Sequence, residues 1–77
     1  MKYRIELRKS DRSGDLIQSA ACGRRHPTLY QAWTAAMRDA RLQATARCVP
    51  ICVRVFDPLD RLAASGKVEQ PQLECSP

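Results

Sequence analysis

Three of the four cysteines and the only histidine are the residues best suited to chemistry. They form two pairs with three intervening residues, Cys22 with His26 and Cys48 with Cys52, and together supply the donor set of a structural zinc site. Zinc-binding cysteines usually have two residues between them, however, and residues four apart on a strand lie roughly 13 Å apart. We therefore expect packed or surface thiols. A zinc-stabilised structural module, with Cys22, His26, Cys48 and Cys52 as ligands, is an alternative.

Catalytic groups are sparse in this chain. His26 follows two arginines and has no carboxylate or nucleophile at a recognisable spacing. The sequence contains neither a nucleophile elbow nor a glycine-rich phosphate loop. A chain of 77 residues also buries only roughly 60 to 65% of its unfolded surface, which leaves little room for an internal active site. These features predict a non-enzymatic protein without a cofactor.

Positive charge is the strongest chemical signal. The chain has 13 lysines and arginines against 8 aspartates and glutamates, a formal net charge of +5. Most of the basic residues are arginines, whose forked guanidinium groups bind carboxylate and phosphate and are common at interfaces. The charge favours an anionic partner, although a GC-rich genome also enriches a protein in arginine.

The candidate binding residues, for a partner protein or a phosphate, belong to two groups: Arg4, Arg8, Arg24, Arg25, His26 and Arg54. One group directly precedes a predicted helix N-terminus, where free amides and the helix dipole attract anions. The other group lies on predicted strands, on the side away from the apolar residues, so an open sheet face is expected to be basic. The alternative is a solvated face that Glu6 partly balances.

The element that positions these residues is a helix predicted over residues 28–46. Thr28 and Gln31 have the spacing of a capping box, which marks the helix start. Apolar residues then recur every three or four positions, with Leu29, Trp33 and Met37 as the large ones among several alanines. Such a shallow stripe favours packing on a β-sheet.

Alternating apolar residues predict the strands. The predicted strands cover residues 2–9, 16–22, 48–56 with regular pairing from Ile51, and 61–65. The fold class is therefore α+β, a single small domain with a β-β-α-β-β sheet and one helix packed on one face. We expect this domain to occupy residues 1–65 and residues 66–77 to form a mobile tail.

Exposed apolar groups offer few further binding features. Phe56 is the one aromatic residue expected on the open sheet face, so base stacking is weakly indicated. Leu42 lies off the buried stripe, near Ala35 and Arg38, and could mark a docking spot. Residues 16–22 are expected at a sheet edge or under the helix, where small side chains leave room. At an edge two copies could pair, so a homodimer is possible.

The plan from the KYRIELRK strand through the single helix to the VRVFDPLDRL hairpin resembles that of small accessory proteins of phages and mobile elements. Some anti-CRISPR inhibitors have a similar size and strand-strand-helix-strand-strand layout. The resemblance covers residues 1–65 as architecture and implies an inhibitory role, but it carries no functional residue over. Several such inhibitors are acidic DNA mimics, whereas a chain of charge +5 would have to occupy acidic protein patches or touch nucleic acid.

The expected function is therefore that of a basic binding protein that docks on a protein or nucleoprotein partner with an acidic surface. It could inhibit a nucleic-acid-targeting, CRISPR-type defence complex, and the alternative is a small nucleic-acid-binding regulator. No apolar leader follows the first methionine, and no run approaches the roughly 20 apolar residues of a membrane span. We expect a cytoplasmic protein with reduced cysteines and no membrane partner.

Overall fold

A computed structural model describes residues 2–69. Its single helix, α1, spans Leu29–Arg47. The Thr28 side chain accepts a hydrogen bond of 3.1 Å from the Gln31 amide, so the predicted N-cap is confirmed. Cys48 follows the last helical residue as the C-cap. Its φ of 55° lies in the left-handed region, which is common at the end of a helix. Within this part of the chain, no helix is long and apolar enough to cross a membrane.

Four antiparallel strands form one sheet in the order β2-β1-β3-β4. Their bounds are β1 Arg4–Lys9, β2 Leu16–Ile17, β3 Ile51–Phe56 and β4 Leu62–Val68. β1 and β2 form one hairpin, and β3 and β4 form the other, so the two hairpins meet along the central β1-β3 pair. The predicted α+β class and the β-β-α-β-β element order are confirmed, as is the start of regular pairing at Ile51.

The core lies between α1 and the two central strands. Its fully or nearly buried strand residues are Ile5, Leu7, Ile17, Ile51, Val53 and Val55, and the fully buried helix residues are Ala32, Ala36, Ala40 and Ala44. The four alanines recur every fourth position, so the helix can lie close to the sheet along this line. The larger residues of the predicted stripe lie beside it: Trp33 and Met37 are half-buried, and Leu29 is 38% exposed.

The second strand is much shorter than residues 16–22. β2 ends at Ile17, and the following residues turn away from the sheet. Asp39 on α1 holds this turn, because its Oδ2 accepts a hydrogen bond of 3.0 Å from the Ala21 amide. A serine- and alanine-rich segment has no alternating pattern that could keep it in a ladder. It forms a turn instead, in which Ser19 accepts hydrogen bonds from the Cys22 and Gly23 amides.

The fourth strand is longer than residues 61–65 and includes Gly66, Lys67 and Val68. The prediction of a tail from residue 66 is therefore wrong for these three residues, and residues 70–77 of that tail lie outside the described part. The extension depends on Gly66, which pairs with Val53 on the core side of the sheet. A Cβ atom there would lie only 2.8 Å from Trp33 Cη2, so the missing side chain lets the indole rest on β4.

Candidate functional site

The open side of the sheet, opposite α1, carries three of the six predicted binding residues, Arg4, Arg8 and Arg54. The β1-β3 register places Arg4 opposite Phe56 and Glu6 opposite Arg54. Arg8 lies on the same side by alternation, because Leu7 beside it is fully buried. We call these five residues, Arg4, Glu6, Arg8, Arg54 and Phe56, the arginine face.

Glu6 is the centre of the arginine face. Its Oε1 accepts a hydrogen bond of 2.8 Å from Arg8 Nε, and the same oxygen lies 4.0 Å from Arg54 Nη1. Its other oxygen, Oε2, lies 3.9 Å from Arg4 Nη1. The Glu6 side chain is only 15% exposed. Glu6 therefore hydrogen-bonds one guanidinium group and lies within 4.0 Å of two others. Because Arg4 also pairs with Asp60, the three arginines exceed the two carboxylates beside them by one formal charge.

Arg4 has two further partners. Its guanidinium stacks on the Phe56 ring, 4.2 Å from the ring centroid, which is a cation–π geometry. Its Nη2 donates a hydrogen bond of 2.5 Å to Asp60 Oδ1 in the β3-β4 loop. Phe56 lies on the open face as expected, but the chain's own arginine already covers one face of its ring. The ring is therefore a support for Arg4.

The loop between β1 and β2 holds Arg8 from the other side. Arg8 Nη1 donates to the Gly14 carbonyl at 3.1 Å. Asp11 organises this loop, because its Oδ1 accepts hydrogen bonds from the Ser13 hydroxyl and from the Ser13 and Gly14 amides. These bonds, led by the one from the Ser13 hydroxyl, lower the pKa of Asp11 below its ordinary value. The result is a shallow concavity between the loop and β3, with Arg8 and Arg54 in its lining.

The three predicted residues before the helix separate into different roles. His26 forms an isolated bridge with Tyr3, in which the Tyr3 amide donates at 2.7 Å and the His26 amide donates at 3.0 Å. The His26 Nε2 atom also lies 3.3 Å from the Ala21 carbonyl oxygen, so this ring is part of the loop's own structure. Arg25 is exposed and lines a groove with Arg4, which joins it to the end of the arginine face. Arg24 is exposed and does not line that groove.

The alternative zinc ligands do not come together. Within residues 2–69, no group of three histidine, cysteine, aspartate or glutamate side chains could hold a metal ion. Cys22 contacts Ser19 in the turn after β2, whereas Cys52 lies on the open face of β3. Both carry free thiols, but Cys48 takes part in a disulfide bond. The expectation of a reduced thiol is therefore wrong for Cys48, while Cys75 lies outside the described residues.

The outer side of α1 is a second exposed basic surface. Leu42 is 63% exposed and lies in a shallow groove with Arg38 and Arg41 between Thr34 and Thr45. Among the residues that the structure describes, neither arginine has an ion-pair partner. The predicted exposure of Leu42 is confirmed. In the described part of the chain, this surface lacks a partly buried carboxylate such as Glu6, which lies among the guanidinium groups of the arginine face.

Sequence reasoning treated Glu6 only as a balancing charge. Alternation along β1 places Glu6 between Arg4 and Arg8, and that signal was present in the sequence. Its contact with Arg54 depends on the β1-β3 register, which the sequence pattern does not specify. The ion pair between Arg4 and Asp60 also depends on the tertiary fold, because Asp60 lies 56 residues from Arg4 along the chain.

Comparison with known proteins identifies no relative: no family model, curated protein or solved structure matches this chain.

Proposed function

We propose that this chain is a non-enzymatic binding protein that docks on an acidic protein surface through the arginine face. The observation that carries the proposal is the convergence of Arg4, Arg8 and Arg54 on the single carboxylate of Glu6. Hydrogen bonds already hold Arg4 to Asp60 and Arg8 to Glu6, so these two side chains lose less conformational entropy on binding than free side chains do.

Each arginine keeps donors for a partner. The side chains of Arg4, Arg8 and Arg54 are 31%, 43% and 54% exposed. Arg54 is the most available, because its Nη1 atom lies beyond hydrogen-bond distance from Glu6. A carboxylate of the partner could accept a forked pair of hydrogen bonds from it. The excess positive charge around Glu6 would also speed the encounter with an acidic surface.

The covered ring of Phe56 favours a protein partner over single-stranded nucleic acid. Sheet surfaces that bind single strands use exposed aromatic rings as stacking platforms, and Arg4 occupies one face of this ring. A nucleic-acid-binding regulator therefore remains the second hypothesis. The architectural resemblance to anti-CRISPR inhibitors adds the proposal that docking inhibits a nucleoprotein complex. The docking site would then be an acidic protein surface of that complex.

The test compares two substitutions that remove the same charge from opposite sides of the molecule. Arg54→Ala removes the most available guanidinium of the arginine face, and Arg38→Ala is the matched control on α1. The probes are a glutamate-rich peptide and a single-stranded oligonucleotide, titrated at several salt concentrations. We expect Arg54→Ala to weaken peptide binding by about fivefold to thirtyfold, the effect of losing an interface arginine worth about 1–2 kcal/mol.

Arg38→Ala is expected to leave peptide binding nearly unchanged. Equal losses in both variants would mean that only net charge matters and would refute a specific face. Tighter binding of the oligonucleotide than of the peptide, with a steep salt dependence, would favour the nucleic-acid hypothesis. Affinity purification from the native host with and without nuclease would then separate protein partners from partners bridged by nucleic acid.

A further inference from the structure

The strand β4 forms one edge of the sheet. The strand order ends at β4, and no other described strand pairs with its outer side. Within residues 2–69, the opposite edge consists of the two residues of β2 and the isolated bridge at His26. β4 is longer, with seven residues, and contains no proline. An edge of this kind is a template for another strand.

The backbone hydrogen bonds show which groups of β4 face outward. The Lys9 amide donates to Asp15, and the Ser10 amide donates to Pro50. Odd-numbered residues of β1 therefore bond toward β2 and even-numbered residues toward β3, since antiparallel ladders alternate in this way. The even-numbered residues of β1 pair with even-numbered residues of β3, so these exchange their backbone hydrogen bonds with β1. The backbone amides and carbonyls of the odd-numbered residues of β3 therefore point toward β4.

Val53 and Ile51 pair with Gly66 and Val68, so these two β4 residues bond inward to β3. Ser65 and Lys67 consequently direct their amides and carbonyls away from the sheet. The register shift between Val55 and Phe56 interrupts the ladder before Ala64. The regular part of the edge is therefore Ala64 to Val68.

We propose that this edge pairs with the same edge of a second copy, in an antiparallel register centred on Gly66. Ser65 of each copy then lies opposite Lys67 of the other, and each such pair exchanges two backbone hydrogen bonds. On the side facing α1, Ala64 lies opposite Val68 of the second copy. The strand is thus self-complementary, with polar residues opposite polar ones and apolar residues opposite apolar ones.

Charge and packing also fit a second copy. The two Lys67 side chains would be diagonal neighbours, but each is already paired with its own Glu69 at 3.5 Å. The two Gly66 residues would lie opposite each other at the dimer axis. Because each carries a Trp33 ring over it, the two half-buried indoles would meet and bury their remaining exposed edges. The dimer does not depend on the proposed function, although it would place two arginine faces on one side of a continuous sheet.

The first experiment is sedimentation equilibrium of the full chain in reductant over a range of concentrations. We expect a species of twice the 8.7 kDa chain mass and a blue shift of the fluorescence of Trp33, the only tryptophan, as the concentration rises. Ser65→Pro removes an amide that the monomer's own ladder does not use, so it should give a monomer with unchanged far-ultraviolet circular dichroism. Ser65→Ala keeps the amide and should still dimerise.

A wild-type chain that stays at the monomer mass at every concentration overturns the proposal, as does a Ser65→Pro chain that dimerises like the wild type. If Ser65→Pro does not fold, amide exchange of the wild-type chain decides. Protection of the Ser65 and Lys67 amides that increases with concentration supports the dimer. Fast exchange at every concentration overturns it. Protection that does not change on dilution also overturns it, because the edge would then be covered by the chain's own residues 70–77.

Discussion

The contact between Gly66 and Trp33 makes the sharpest prediction about stability. A Cβ atom at position 66 would lie 2.8 Å from Trp33 Cη2 and 3.4 Å from Cζ2. The first distance is well inside the 3.5–4.0 Å at which carbon atoms attract each other best. Gly66→Ala therefore forces the indole away from β4, an overpacking that typically costs about 1–3 kcal/mol.

A second term opposes this cost. Alanine restricts the unfolded chain more than glycine does, which stabilises a compatible site by about 0.4–1 kcal/mol. Taking the middle of each range, the net loss for Gly66→Ala is about 1.3 kcal/mol, which lowers the melting temperature by roughly 5–10 °C in a domain of this size. The assay is urea denaturation followed by circular dichroism, at a protein concentration where the chain sediments as a monomer.

Gly23→Ala is the matched control. A Cβ atom at Gly23 would meet only backbone oxygens, at 3.7 and 3.9 Å, and its φ is not left-handed. We therefore expect it to be neutral or slightly stabilising. The second control repeats Gly66→Ala in a Trp33→Leu background, where the clash is absent and the loss should disappear. If Gly66→Ala costs the same in both backgrounds, the indole is not the cause and the reasoning is wrong.

Three further predictions concern single contacts. Thr28→Ala removes the acceptor for the Gln31 amide and should lower the free energy of unfolding by about 1 kcal/mol, whereas Thr28→Ser should restore it. Asp39→Ala leaves the Ala21 amide unpaired and should lower the free energy of unfolding by about 1–3 kcal/mol in urea melts. Asp39→Asn keeps an acceptor oxygen and should lose less. An equal loss in Asp39→Asn would show that the charge matters more than the hydrogen bond. Asp11 has a folded-state pKa below its ordinary 3.8, so the stability it contributes is present above pH 3.8 and is lost as the pH falls through the folded-state pKa. An NMR titration of its carboxyl carbon should show the low pKa, and an ordinary value would contradict the loop geometry.

The local elements of this protein could be predicted from the sequence because each depends on neighbouring residues. The capping pair Thr28 and Gln31 predicted the helix start, and Pro50 predicted that regular pairing in β3 begins at Ile51. Alternation along β1 also predicted that Arg4 and Arg8 share one face, since the side-chain period of a strand is two residues.

Contacts between distant segments determined the rest. A serine- and alanine-rich segment carries no alternation, so the end of β2 at Ile17 could not be read from the pattern, and the turn that follows is tied to α1 by the hydrogen bond from Ala21 to Asp39. Similarly, β4 pairs with β3 as far as Val68, and Gly66 leaves room for Trp33, a fit that exists only once the helix lies on the sheet. The alanine line of α1, and not its larger residues, became the closest contact for the same reason.

The arginine face combines both kinds of information. Composition and alternation alone made one side of the sheet basic, because the strands carry arginines on the side away from the core. Strand order and register then brought Arg54 beside Glu6 and Phe56 beside Arg4. They also left Ser65 and Lys67 on the outer edge, because hydrogen-bond direction alternates across a sheet and depends on which strands are neighbours.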